Sequence, residues 1–187
     1  SYPQTFVISI SRVRAAMTFP SKIILCAAQN PCPCGFLGDS VHRCSCKQSE
    51  IDSYRRKISG PLMDRIDMQI NLSRVEFSEL KTKEKGESSA AIRERVVKAR
   101  LVQQERLEAV GIHCNAQMGR SEVVKYCQLD AAAQNVMERY FNMLNLSARS
   151  HDRILKVART IADLAGSESI EAVHLAEAIQ LRTSVRP

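Results

Sequence analysis

The stretch Lys22-Ile23-Ile24-Leu25-Cys26-Ala27-Ala28-Gln29-Asn30-Pro31-Cys32-Pro33-Cys34-Gly35 decides how this chain is read. Its first seven residues form a short apolar run, rich in β-branched residues at the start, which predicts a buried strand over 22–28. A strand buried on both faces belongs in a parallel sheet, and such sheets place functional groups just past the strand's C-terminal end. Asn30 stands at that position. Taken alone it is also an ordinary turn residue, because an Asn side chain mimics a turn hydrogen bond.

Four cysteines follow as Cys32-x-Cys34, nine residues, then Cys44-x-Cys46. Four thiolates suit tetrahedral zinc, and the spacer lets two knuckles fold back on one ion. Gly35 and Gly38 supply tight turns, and His42 is an alternative ligand in place of one cysteine. Four thiolates leave no open position, so this zinc would be structural rather than catalytic. The plain alternative is four reduced thiols in a loop. The chain has seven cysteines, an odd number with no export signal, which argues against a disulfide framework. Cys26 reads as core; Cys114 and Cys127 read as helix packing.

On either side the pattern is mixed. Phe6 to Ser11 reads as a strand, while Val13 to Phe19 is mixed and Pro20 breaks it. Gln48 to Lys57 reads as a helix with Ile51, Tyr54 and Ile58 on one face. In Ser59-Gly60-Pro61-Leu62-Met63-Asp64-Arg65-Ile66-Asp67, Pro61 can start a helical turn, with Leu62, Met63 and Ile66 inward. Met68 to Leu72 alternates as a strand. Residues 76–87 hold Glu, Lys, Ser, Thr and Gly with little apolar content, and read as a linker. This puts a domain boundary at about residue 86, between a 1–86 domain and an 87–187 domain.

The second domain reads as wholly helical. Ser88 caps a helix to about Val110, stopped by Gly111. Its apolar face is Ile92, Val96, Ala99 and Leu107, and its other face is basic. Helices follow at 121–127 and 130–144. Ser147 caps a helix from Ala148 to Ala165, closed by Gly166, with Ile154, Val157, Ala158, Ile161 and Leu164 as its buried stripe. Ser169 caps the last, with Val173, Ala176 and Ile179 inward. The fold class is α/β followed by an all-α bundle.

Composition agrees with a soluble globular chain: 187 residues, 44% hydrophobic and 25% charged. No apolar run approaches the roughly 20 residues of a membrane helix, and no signal-peptide pattern is visible, so no membrane partner and a cytoplasmic location are expected. The net charge of +7 permits phosphate partners, nucleotide or nucleic acid.

Arg65 alone reads as a surface ion-pair residue. Arg149 and Arg153 lie four apart near a helix start, where the dipole favours anions. Together, a strand-end Asn, a lone Arg after a helix and an Arg at the start of a later helix resemble the second half of an AAA+ ATPase. That resemblance implies sensor 1 at Asn30, orienting the attacking water, and an arginine finger at Arg65, donated to a neighbouring subunit. It implies sensor 2 at Arg149, with Arg153 as the second choice. Ala28 to Gly35, Ile58 to Asp67, Leu146 to Ser150 and Ala158 to Leu164 narrow it to bacterial magnesium-chelatase-like proteins of the YifB/ComM type, over roughly residues 10 to 183. The family implies ATP with Mg2+, self-association into a ring (a hexamer expected) and DNA processing. The magnesium-chelatase motor subunit is the nearer enzymatic alternative, but those motors lack the four-cysteine loop. A non-catalytic zinc module binding nucleic acid or a partner is the other. The chain has no G-x4-G-K-[ST] phosphate loop and no acidic Walker-B strand. It therefore reads as the C-terminal part of such a protein, inactive towards ATP by itself.

Overall fold

A computed structural model describes residues 7–12, 15–20, 23–72, 75 and 86–183. The chain divides into two compact units, Ser1–Lys57 and Ile58–Pro187.

The first unit begins with a hairpin. β1 (Val7–Arg12) pairs antiparallel with β2 (Ala15–Pro20), in register from Val7 opposite Pro20 to Arg12 opposite Ala15. Ser9 and Thr18 face each other across it, their hydroxyls 3.3 Å apart. Within the mixed stretch before Pro20, Ala15 to Phe19 is therefore strand, and Pro20 is tolerated because it ends one.

The strand predicted over 22–28 is not formed. Lys22 lies outside the described residues, and Ile23 to Asn30 form neither strand nor helix and are exposed, with Ile24 99% exposed. A buried strand needs ladder neighbours and a layer on each face. Among the described residues no strand pairs with this run. Cys26 is accordingly exposed rather than core. α1 (Gln48–Arg56) does form, with Glu50 in its first turn and Arg55 and Arg56 in its last, each matching the helix dipole. Ile51 is buried and Tyr54 half-buried, as their spacing predicts.

The second unit starts at α2 (Gly60–Arg65), where the Ser59 hydroxyl accepts from the Leu62 N–H and Pro61 sits in the first turn. Met63 and Ile66 are half-buried, but Leu62 is exposed. The strand expected over 68–72 is absent. Met68, Ile70 and Leu72 are exposed, and the Gln69 N–H donates instead to the Leu181 carbonyl, at 2.6 Å. The linker expected over 76–87 lies mostly outside the described residues.

α3 (Ser89–Leu107) is capped by Ser88, continues as a single 3-10 turn, and stops at Gly111 with φ 69°. Only its C-terminal half packs. Ala99, Gln103 and Leu107 are buried, whereas Ile92 and Val96, expected inward, are exposed. Then come α4 (Arg120–Tyr126), α5 (Ala131–Leu144), α6 (Ala148–Ala165) and α7 (Ala172–Thr183). Asp130 caps α5 and Ser147 caps α6, each accepting from an N–H three residues on. The cap expected at Ser169 is displaced. Ile170 forms an isolated bridge to Leu129, and α7 begins after Glu171, whose N–H donates to His174 Nδ1 at 3.1 Å. The inward face of α7 shifts with it to Leu175, Ala178 and Ile179, leaving Val173 and Ala176 exposed.

α6 is the centre of this bundle and packs against α3, α4 and α7, while α5 packs against α7. Ile154, Ala158 and Ala162 of α6 are fully buried with Leu107, Ile170 and Leu175. Each large aliphatic side chain so removed from water contributes roughly 2 kcal/mol. Val157 and Ile161 lie at the edge of the core and Leu164 is exposed, so the true stripe is turned towards Leu155 and Ala162.

One polar cluster is buried with the core. The Asp163 carboxylate takes a bidentate pair from Arg106, a 3.0 Å bond from Arg159 Nε and a 2.8 Å bond from Asn115 Nδ2. Arg159 also donates to the Ser167 and Glu168 carbonyls just past the helix end. Among the described residues no buried side-chain polar atom lacks a partner. That completeness is the condition for burying such charges without a large penalty. The described structure is thus mostly helical with one two-stranded sheet.

Candidate functional site

The four cysteines fold as two turns meeting in one cluster. Pro33 and Gly35 shape the first turn, closed by the Gly35 N–H donating to the Cys32 carbonyl at 3.0 Å. Gly35 and Gly38 both have φ 83°, a conformation glycine adopts without strain. Asp39 ties the second turn by accepting from the Val41 and His42 N–H groups at 2.8 and 2.7 Å. The sulfur atoms of Cys32, Cys34, Cys44 and Cys46 all lie within 4.8 Å of one another. Cys32–Cys34, Cys34–Cys44 and Cys32–Cys44 stand 3.4, 3.5 and 3.7 Å apart. A tetrahedron of sulfurs at ~2.3 Å from zinc has edges of ~3.8 Å. These spacings therefore fit four sulfurs around one ion, and they are too long for a disulfide. All four cysteines are free.

Electrostatics at the cluster point the same way. The Phe36 and Ser45 N–H groups aim at Cys34 and lower its thiol to about 5. At Cys46 the Cys34 N–H pulls down, but desolvation and the neighbouring sulfurs push the thiol up to about 12. Like charges at this spacing cannot all form unless a cation neutralises them. The group can hold a metal ion such as zinc. His42 is not part of it. Its ring lies 4.9 Å from that of Phe36, and its Nδ1 is 3.6 Å from Asp39.

Asn30 is exposed in the same unit, immediately before the first turn. A Cβ placed on Gly35 would lie 3.9 Å from Asn30 Nδ2, so the knuckle backbone runs close beside the amide.

The arginines belong to the second unit. Arg65 is the last residue of α2 and is exposed, and among the described residues its guanidinium makes no hydrogen bond or ion pair. Arg149 lies in the first turn of α6, beyond the Ser147 cap, with its side chain 68% exposed and Nη1 3.9 Å from Asp64. Arg153, one turn later, is committed elsewhere. Its Nη1 pairs with Asp67 and donates to the Arg65 carbonyl at 2.8 Å. The two arginines that sequence left as alternatives are thus in different situations.

Three residues at this place were not legible as site residues. Asp64 accepts from Ser150 Oγ at 2.9 Å and from Arg182 Nη2 at 3.1 Å. Asp64 had a signal, since it flanks Arg65. Arg182 is 118 residues away from Asp64, and nothing local marks it.

Comparison with known proteins gives the class. Two family models match in succession: "Magnesium chelatase, subunit ChlI" over residues 4–80, and "Magnesium chelatase, subunit ChlI C-terminal" over residues 86–182. The chain belongs to this magnesium-chelatase family. Within it the resemblance is to the ComM and YifB type. It is 40% identical over 180 residues to competence protein ComM of Haemophilus influenzae, covering 96% of this chain and 34% of that one. It is 37% identical over 176 residues to YifB of Escherichia coli, covering 94% and 34%. A Mycobacterium tuberculosis protein is 30% identical over 175 residues, with the same coverages of 94% and 34%. The chain thus spans about a third of the length of these relatives, consistent with the absence of the phosphate-loop motifs from its sequence. No helix among the described residues is long and apolar enough to cross a membrane.

Proposed function

We propose that this chain is the sensor and finger portion, with the helical lid, of a ring-forming AAA+ ATPase that acts on DNA. Membership of the magnesium-chelatase family across both matched segments carries the reading. In it residues 1–86 belong to the nucleotide-binding core and 87–187 to the lid. Asn30 orients the attacking water, Arg65 reaches the nucleotide of a neighbouring subunit, and Arg149 contacts the phosphates of its own. ATP with Mg2+ would be cradled by a phosphate loop that these 187 residues do not include. What this chain supplies is donors for the charge that develops on the transferred phosphoryl group. The exposure of Asn30, Arg65 and Arg149 is what such donors require. Since Arg153 already holds Asp67 and a carbonyl, Arg149 is the better sensor 2. The name of the Haemophilus relative ties that protein to competence, and DNA processing is the corresponding role here. The basic helix α3 and the net charge of +7 are compatible with it.

Zinc at Cys32, Cys34, Cys44 and Cys46 would lock the loop after Asn30. It would supply rigidity and no open coordination position for chemistry. Metal content of the chain purified without added metal should be one zinc per chain, lost in Cys34→Ser. A metal-free chain would leave four thiols with no ion. For the motor reading, the isolated chain should show no Mg2+-dependent ATP turnover. Turnover by the chain alone, abolished in Arg65→Ala, would refute that division of labour.

The sulfur cluster also favours a second reading, a zinc module that grips nucleic acid without ATP. DNA binding by the chain without nucleotide, weakening steeply with salt, would favour it.

A further inference from the structure

Three consecutive carbonyls around Arg65 are held by arginines from other helices. Arg182 Nη1 donates to the Ile66 carbonyl at 2.7 Å, and its Nη2 to the Asp64 carbonyl at 3.0 Å. Between them, Arg153 Nη1 donates to the carbonyl of Arg65 itself. The flanking carboxylates complete the arrangement. Asp64 also meets Arg182 Nη2 and Ser150 Oγ, and Asp67 pairs with Arg153. Two residues beyond Asp67, the Gln69 N–H donates to the Leu181 carbonyl next to Arg182.

Asp64 and Ile66 are half-buried and Arg65 is exposed, so water has access to this peptide. Instead a guanidinium only 8% exposed is spent on two of its carbonyls. Burying that charge is costly unless its donors are used, and its planar fork fixes direction as well as distance. The contacts fix where the peptide lies rather than merely solvating it. Its one large polar side chain without a partner among the described residues is Arg65. A rigid backbone under an exposed cationic head is how a preorganised donor is built.

We infer that Arg153 and Arg182 are positioning residues for Arg65: they hold the Asp64–Asp67 peptide on α6 and α7, so that the bundle sets the direction of the guanidinium. This rests on the reading of Arg65 as the finger, and it gives Arg153 a role other than touching nucleotide. The direction of Arg65 then follows α6, the helix whose first turn carries Arg149.

The test has two arms. In the full-length protein, Arg182→Met should lower kcat roughly 10- to 100-fold, as misplacement of a catalytic group does, with KM for ATP little changed. In an Arg65→Ala background it should lower kcat no further, because the residue acts through Arg65. A further independent loss in that background overturns the inference. In the 187-residue chain, Arg182→Met should speed amide exchange at Ile66 and Gln69 by about tenfold, with α4 and α5 unchanged. Unchanged exchange there also overturns it. If Arg65→Ala turns over ATP like the wild type, the finger reading falls by itself, and exchange alone judges the clamp. Should Arg182→Met fail to fold, Arg153→Met takes both arms, since it removes only the donor to the Arg65 carbonyl and the pair with Asp67.

Discussion

Cys127 and Cys34 show how far one residue type can diverge within a chain. Cys127 is buried in the helical core, and desolvation raises its thiol to about 12, outweighing the pull of Arg159, Arg106 and Lys156. Cys34 sits under two backbone N–H groups and falls to about 5. For Cys127 the sign is definite. The folded value lies above the ordinary 9.0, so its contribution to stability is full below about pH 9 and is lost as pH rises towards 12. Denaturant unfolding measured across that window should lose stability in the native chain and lose less in Cys127→Ala. In the folded chain at pH 8.5, alkylation should label exposed Cys26 and spare Cys127, with mass spectrometry reading the sites. Prompt labelling of Cys127 would show that its environment is open. The placement of Cys127 in helix packing was visible from sequence. That Cys26 would be exposed was not, because its burial depends on strands and layers that local pattern does not report.

At the scale of elements, caps predicted best what formed. Ser88 and Ser147, read as caps, each precede a helix and accept from an N–H three residues on, whereas the cap read at Ser169 is displaced. Gly111 and Gly166 end helices with φ 69° and 72°. These signals are legible because a cap is satisfied within four residues of itself. At Ser147 the hydroxyl serves both the Ser150 N–H and the Ser150 hydroxyl, each at 3.1 Å. Ser147→Ala should therefore cost about 1 kcal/mol in urea unfolding, and Ser147→Gly only a few tenths. Equal losses in the two variants would mean that the hydroxyl is not acting as a cap. Strands fared worse. Runs 22–28 and 68–72 look like strands because they are apolar or alternating, yet a ladder needs a neighbour, and among the described residues the ladder that formed pairs Val7–Arg12 with Ala15–Pro20.

At the scale of the molecule, every member of the main core cluster, from Leu107 to Ile179, lies in the second unit. A chain of residues 58–187 keeps that core and the Asp163 cluster intact. It should unfold by a cooperative thermal transition in far-UV circular dichroism. A gradual, sloping loss of helix would mean that residues 1–57 are needed to close the core. The clamp on residues 64–67 belongs to this scale as well, since its donors come from helices far along the chain.

The sequence by itself determined the helices and their caps, the four-cysteine spacing and the motifs of the magnesium-chelatase family around Asn30 and Arg65. All of these are local, held by contacts within a turn or a short loop. Only the tertiary structure decided that Arg153 holds a backbone while Arg149 stays open, and that Arg182 grips the peptide of Arg65. It also decided that Asp163 gathers two arginines, buried Arg159 and half-buried Arg106. Those assignments rest on hydrogen bonds between residues 57, 88 and 116 positions apart, whose partners leave no periodic trace in the sequence between them.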